Sequence, residues 1–211
     1  MKLYNSNFSP NALRVRAVAA ELEIPLEIIE VDFRKGDNRT ASYLAMNPNG
    51  KVPVLVDGDL VLWESRAINA YLASLRPEHG LYPDDPKRRA IIDQWSYWQA
   101  IHLGPAMQRV VFERAMKSKF GMGEPDENTI ASGLKEIDQF LPVLDANLAG
   151  KEWVAGDLSL ADFAIASTLV YRVPAGISLE RSPNVSAWID RLEARPSWQS
   201  VVAPLRAAMQ G

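Results

Sequence analysis

The chain has 211 residues, 47% hydrophobic and 23% charged, the make-up of a packed protein long enough for one large core or two smaller ones. Its net charge is -3, and the one short basic run, Lys87-Arg88-Arg89, reads as the polar start of a helix, so nothing points to a nucleic-acid partner. There is no cysteine, which excludes disulfides, thiolate metal sites and a cysteine nucleophile.

Met1-Lys2-Leu3 leads straight into a short apolar strand rather than a signal peptide, and no stretch reaches the ~18 consecutive apolar residues of a membrane helix. A cytoplasmic protein with no membrane partner is expected. Residues 2–4 and 27–32 are strand candidates. Between them Val15, Val18, Ala19 and Leu22 recur at the spacing of one helical face. Strand, helix and strand at this spacing form a βαβ unit, whose right-handed crossover makes the two strands parallel. Residues 52–56 and 60–63 then flank Asp57-Gly58, a hairpin signal because the turn needs positive φ. A helix follows, with Ile68, Tyr71, Leu72 and Leu75 on one face.

Arg76-Pro77-Glu78-His79-Gly80 breaks this pattern, and the residues up to Pro86 are rich in Pro and Asp. The expected organisation is an α/β domain over 1–76, a linker over 77–86 and an all-helical domain over 87–211. In the second half no convincing strand is found. Ile91, Trp95, Trp98 and His102 fall on one helical face, and Ile130, Leu134, Ile137, Leu141, Leu144 and Leu148 form a sustained stripe. Pro105 and Pro142 lie inside these patterns and are expected to kink or divide the helices. Residues 121–128 read as a loop between two long helices, and 160–172 and 185–194 as further helix. The second half is a helical bundle.

Three places carry residues suited to chemistry. Ser9 precedes Pro10, and Pro is favoured as the first residue of a helix, so Ser9 is the N-cap of the first helix. Capping alone accounts for such a serine, at about 1 kcal/mol. A hydroxyl at the positive end of a helix also donates to an anion such as a thiolate, and the Asn11 amide can do the same. Next, Asn47-Pro48-Asn49-Gly50-Lys51-Val52-Pro53 enters a strand at a proline. If the Val52–Pro53 bond is cis, Val52 turns its backbone outward to pair with an extended peptide; otherwise this is an ordinary loop. Last, Glu64 and Ser65 open the helix after the hairpin. They complement its dipole, and together they also suit an amino-acid head group, the hydroxyl holding a carboxylate and Glu64 an α-amino group. Ser159 and Asp162, in S-x-x-D spacing, read as a structural capping box. No metal site is expected.

At these places the sequence resembles the cytosolic glutathione transferase family. NPNGKVPVLVDGDLVLWESRAINAYL, over 47–72, is similar to the family's glutathione-binding core almost position by position. QWSYWQAIHLGPAMQRVVFE, over 94–113, resembles the first long helix of the plant-type phi class and its bacterial relatives, and WVAGDLSLADF, over 153–163, resembles the family's helical-domain capping box. The resemblance spans the whole chain. It implies a thioredoxin-like domain followed by a helical domain, paired as a homodimer, with glutathione as co-substrate and no other cofactor.

Carried over residue by residue, the resemblance makes Ser9, within S-x-N-x-x-R with Asn11 and Arg14, the residue that activates the glutathione thiol. Val52 and Pro53 match the backbone clamp and its cis proline, and Glu64 and Ser65 the pair that grips the γ-glutamyl end. Lys51 stands where the phi class often has Gln. Asn38 and Arg39 stand where it usually has His and Lys facing the glycyl carboxylate, so Asn38 departs from that contact. Tyr4 lies within the first strand and is read as core. Trp98, His102, Met107 and Phe112 lie on the long helix expected to face small hydrophobic electrophiles, although such a stripe also suits a core. The implied activity is glutathione transfer. Glutathione-dependent peroxide reduction, an isomerase or dehalogenase reaction, or a non-catalytic carrier role on the same fold are the alternatives.

Overall fold

The structure, a computed structural model, describes residues 1–210, without the side chains of Ala208 and Gln210. Strand β1 (Lys2–Asn5) buries Leu3 and Asn5 and turns Lys2 outward, the alternation of a pleated strand. Helix α1 (Pro10–Glu21) carries the chain to β2 (Glu27–Glu30), which lies parallel to β1 as the βαβ spacing requires. Helix α2 (Ala41–Met46) leads to the hairpin of β3 (Val54–Asp57) and β4 (Leu60–Trp63), closed by Gly58-Asp59 with Gly58 at φ 59°. The sheet order is β2-β1-β3-β4, with β3 antiparallel to both neighbours. Helix α3 (Ser65–Ser74) packs on α1, and Leu13, Val18, Leu22, Leu55, Ile68 and Leu72 are fully buried in this core. Leu75, expected on the apolar face of α3, is its exposed C-cap.

The second compact unit, Pro83–Ala194, is all helical among its regular elements. Helix α4 (Pro86–Trp98) continues through a π-helical turn (Gln99–Leu103) into α5 (Gly104–Val111), then through a second one (Phe112–Met116) into α6 (Lys117–Phe120). Pro105 therefore does not divide the helix. The wider turn, closed by a bond from the Gly104 N–H to the Gln99 carbonyl, accommodates a residue that has no N–H and crowds the preceding turn. The buried side of α4 is Ile92, Trp95, Ser96 and, one turn on, Gln99 and Leu103, whereas Ile91 and His102 are exposed. The expected face was rotated because Gln99 looks polar in sequence; its amide donates to Thr168 Oγ1, which lets it go inside.

Helix α7 (Glu127–Leu148) buries Ile130, Ile137, Leu141, Leu144 and Leu148 and runs unbroken through Pro142. The carbonyl that loses its bond there belongs to Asp138, on the exposed side. Gly133 lets α7 approach α5, since a Cβ there would lie 2.7 Å from Val110. Helices α8 (Leu160–Leu169) and α9 (Pro183–Glu193) complete the unit. The capping box before α8 is present, with the Asp162 carboxylate accepting from the Ser159 N–H and hydroxyl, the Val154 N–H and Trp188 Nε1.

The last helix, α10 (Pro196–Gln210), packs on α1, and the segment from Arg195 onward belongs with Met1–Tyr82. The sequence groups 87–211 as one domain. Trp198, Val202 and Leu205 form instead a buried stripe within the first unit, and Glu21 at the end of α1 accepts from Arg195 and Ser197.

Candidate functional site

Three segments leave or enter the sheet at one end of its strands. Tyr4 pairs with Val54 and Val54 with Trp63, so the end of β1, the start of β3 and the end of β4 form one row. The chain leaving or entering that row carries Ser9, Val52-Pro53 and Glu64-Ser65.

A tight turn after β1, in which the Ser9 N–H donates to the Ser6 carbonyl at 2.9 Å, sets Ser9 at the head of α1. Its backbone is extended (φ -86°, ψ 116°), and Oγ accepts from the Ala12 N–H at 3.2 Å. Because Oγ is the acceptor in that bond, its own O–H is available to donate. Asn11 is exposed on the first turn of α1. Tyr4 packs edge-on to Tyr43, with ring centroids 5.9 Å apart, within a cluster of Val31, Val52 and Val54, as expected for a core residue.

The Val52–Pro53 bond is cis. Two donors hold the preceding carbonyl: Tyr43 Oη and Asn47 Nδ2 each lie 2.8 Å from the Lys51 oxygen. Burial, with Tyr4 adding to it, pushes the Tyr43 hydroxyl up to about 12, so it stays a donor at neutral pH. Gly50 has φ 61°, and a Cβ there would lie 3.1 Å from the Asn38 carbonyl and from the Arg39 guanidinium, so the loop requires glycine. Asn38 is buried and donates from Nδ2 to the Gly50 carbonyl at 2.7 Å. Its amide nitrogen is engaged in shaping the loop, while Arg39 and Lys51 are exposed.

Glu64 is exposed and adopts φ 74°, ψ 106°, a region that only glycine enters freely and that costs a larger residue about 1–3 kcal/mol. Its side chain makes no capping bond to α3 and projects from the helix head. Ser65, 4% exposed, accepts from Nη1 of Arg14 at 3.2 Å. Arg14 is itself only 2% exposed. Its burial, more than the neighbouring Arg66, draws its pKa well below the usual arginine range, with Glu64 acting in the opposite sense. A buried guanidinium under the first turn of α3 adds to the positive potential that the helix end already carries.

The four residues of the long helix belong to the second unit. Trp98 makes edge contacts with Trp95 and Phe140, and the His102 ring lies 5.1 Å from that of Phe140. Phe112 is partly exposed at the start of the second π-helical turn. Met107 is 1% exposed, a packing residue of the helical core. Among the described residues no group of three or more His, Cys, Asp and Glu side chains is placed to hold a metal ion, and no helix is long and apolar enough to cross a membrane.

Sequence reasoning missed Tyr43 and Asn47 as supports of Lys51, and the bond from Arg14 to Ser65. Asn47 and Arg14 at least stood inside quoted motifs; Tyr43 carried no signal. This end of the sheet offers a hydroxyl donor at one helix head. At a second head stand an exposed carboxylate and a serine, with two cations on the neighbouring loop. That set is suited to a small zwitterionic or anionic peptide.

Comparison with known proteins identifies the family. Residues 1–74 match the glutathione S-transferase N-terminal domain, and residues 103–196 match the glutathione S-transferase C-terminal domain. A probable glutathione S-transferase GSTF2 from Oryza sativa subsp. japonica is 36% identical over 98% of this chain and 97% of its own. Glutathione S-transferase GstB from Escherichia coli (strain K12) is 36% identical over 95% and 96% respectively. Among solved structures, glutathione transferase F2 from Populus trichocarpa superposes with a TM-score of 0.91 at 28% identity, covering 98% of this chain and 99% of that one. Glutathione S-transferase I from mais, in complex with an atrazine glutathione conjugate, superposes with a TM-score of 0.88 at 32% identity, covering 99% and 97%. The chain therefore belongs to the cytosolic glutathione transferase family, alongside its phi-like plant and bacterial members.

Proposed function

We propose that this protein binds glutathione and activates its thiol for attack on small apolar electrophiles, with Ser9 as the activating residue. The observation that carries the reading is the geometry of Ser9, whose Oγ accepts the capping bond of α1 and keeps its O–H to donate. A free thiol has a pKa of about 8.5. Lowering it by about two units takes roughly 2.7 kcal/mol. A hydrogen bond to a charged acceptor supplies about 1.5–3 kcal/mol, and the helix N-terminus about 0.3–1. No metal or general base is required by that sum. Ser9 keeps its proton and stabilises the thiolate, the thiol proton passes to solvent, and the sulfur forms the new bond as the electrophile's leaving group departs.

Around that sulfur, Asn11 stands as a second donor, and the Val52 backbone beside Pro53 pairs with the peptide as an added strand. Glu64 and Ser65 hold the γ-glutamyl head group, and Arg39 and Lys51 face the glycyl carboxylate. Asn38 serves that end indirectly, through its bond to Gly50. Trp98, His102 and Phe112 are the candidates for contact with the electrophile, and Met107, at 1% exposure, is left to the helical core. A homodimer goes with this reading, and Tyr97 and Ile101, one helical turn apart and both highly exposed, are apolar groups that such an interface would cover. So does a cytoplasmic setting.

The test is retention on immobilised glutathione followed by an assay with a reactive aryl halide. Retention with turnover is expected. Retention without turnover on several electrophiles would favour the carrier role, and lack of retention would reject the site.

A further inference from the structure

Glu30 closes β2 and was legible in sequence only as a strand residue. The parallel register sets it directly beside Asn5, the last residue of β1. Its carboxylate reaches across to the turn that follows. Oε1 accepts from the Asn7 N–H at 2.9 Å, and Oε2 accepts from Asn5 Nδ2 at 2.6 Å. Asn5 Nδ2 also lies 3.2 Å from Asn7 Oδ1, which ties the three side chains into one cluster. Asn7 is the second residue of the four-residue turn that the Ser9 N–H closes on the Ser6 carbonyl. The main chain supports the same junction, since the Val31 N–H donates to the Asn5 carbonyl at 2.8 Å.

These bonds bear on chemistry because they brace the turn from the sheet side, while the cap bonds of α1 hold Ser9 from the helix side. Residues 6–9 make no ladder bonds, and Ser9 points its hydroxyl from the end of that turn. A donor that stabilises a charge must be held near its productive geometry before the charge forms, or the gain is lost to reorganisation. We propose that Glu30 is a positioning residue for thiol activation, its carboxylate clamping the turn that aims Ser9. The inference rests on the reading of Ser9 given above and deepens it. Glu30 touches no reacting atom and acts through Ser9 alone.

Glu30 is exposed, but the amide it accepts from belongs to the buried Asn5, so unfolding of each variant is followed alongside. The experiment is ultraviolet titration of the thiolate of bound glutathione on the native protein, Ser9→Ala, Glu30→Met, Glu30→Ala and the double variant Ser9→Ala/Glu30→Ala. Glu30→Met keeps much of the size of the side chain and has no oxygen to accept either bond, so it decides the matter if Glu30→Ala folds poorly. The bound-thiol pKa is expected to rise in both Glu30 variants toward that of Ser9→Ala. At about pH 5.5, where the thiol is protonated on every variant, glutathione affinity should change by less than about twofold, the separation of binding from activation that a merely structural loss would not give. In the Ser9→Ala background the Glu30 change should have no further effect. A normal depression of the pKa in Glu30→Met, or a further shift in the double variant, would overturn the clamp while leaving Ser9 in place. A fall in the pKa would show that the thiol feels the charge of Glu30 rather than the bonds it makes, and would overturn it as well. If the native protein shows no depression at all, it is the reading of Ser9 that fails.

Discussion

Arg14 on α1 donates from Nη1 to Oγ of Ser65 at the head of α3, across 3.2 Å and 51 residues of chain. The bond joins the two helices whose N-termini form the candidate site. With Oγ accepting from a guanidinium, the serine keeps its own proton for another acceptor, which under the proposed function is the γ-glutamyl carboxylate. The expectation for Arg14→Met is a rise in KM for glutathione of about tenfold, with kcat changed less than about threefold, because the bond acts on ground-state binding. Arg14→Lys keeps the charge and should recover part of the affinity. Steady-state kinetics with glutathione varied checks this; an unchanged KM in Arg14→Met would show that Ser65 does not depend on Arg14.

Glu64 is held at φ 74°, and removing its Cβ should release the strain. Glu64→Gly is expected to be more stable than Glu64→Ala by about 1 kcal/mol or more, even though glycine ordinarily loses to alanine in a folded chain. Both variants should bind glutathione more weakly, since both lose the carboxylate. Urea unfolding alongside a glutathione binding titration separates the two effects. Alanine matching glycine in stability would mean that the conformation carries no strain.

Asp162 sets a pH dependence in the helical unit. Its burial pushes the carboxyl up from 3.8 to about 6, while bonds from the Val154 N–H, Trp188 and Ser159 restrain the rise. A raised folded pKa means that the native state keeps a proton which the unfolded chain releases. The stabilisation is therefore full below pH 3.8 and is lost as pH rises through about 6, a change of about 3 kcal/mol over that window. Denaturant unfolding at a series of pH values should show this component in the native protein. It should be missing in Asp162→Asn, which in addition loses about 1–3 kcal/mol because an amide cannot accept every bond the carboxylate takes. Identical pH profiles for the two proteins would contradict the assignment.

The parts of the fold and site that local chemistry dictates were legible in the sequence. Ser9 could be placed at a helix head because Ser-Pro at that position fits an N-cap and the first helical residue, and the hairpin because Asp57-Gly58 supplies a turn with positive φ. The burial of Val15, Val18 and Leu22 followed from spacing. What escaped depends on partners far along the chain. Glu30 is an unremarkable strand residue until the register sets it beside Asn5, and Tyr43 is an ordinary helical tyrosine until its hydroxyl reaches Lys51. The conformation of Glu64 had no signal, because φ is positive there at a residue that does not favour it. α10 was grouped with the helices that precede it, since periodicity shows that a helix has a buried face and says nothing about which unit covers it.

The measurement that tests thiol activation most directly is the pKa of glutathione bound to the native protein and to Ser9→Ala, read from thiolate absorbance as pH is raised. Ser9→Ala also removes a helix cap, at about 1 kcal/mol, so unfolding should be followed in parallel to show that both proteins are native across the titration. The native complex is expected to ionise about two units below the free thiol, and Ser9→Ala to return most of that shift, since the hydroxyl supplies the larger share of the stabilisation. Equal values in the two proteins would contradict a role for the Ser9 hydroxyl in holding the sulfur negative.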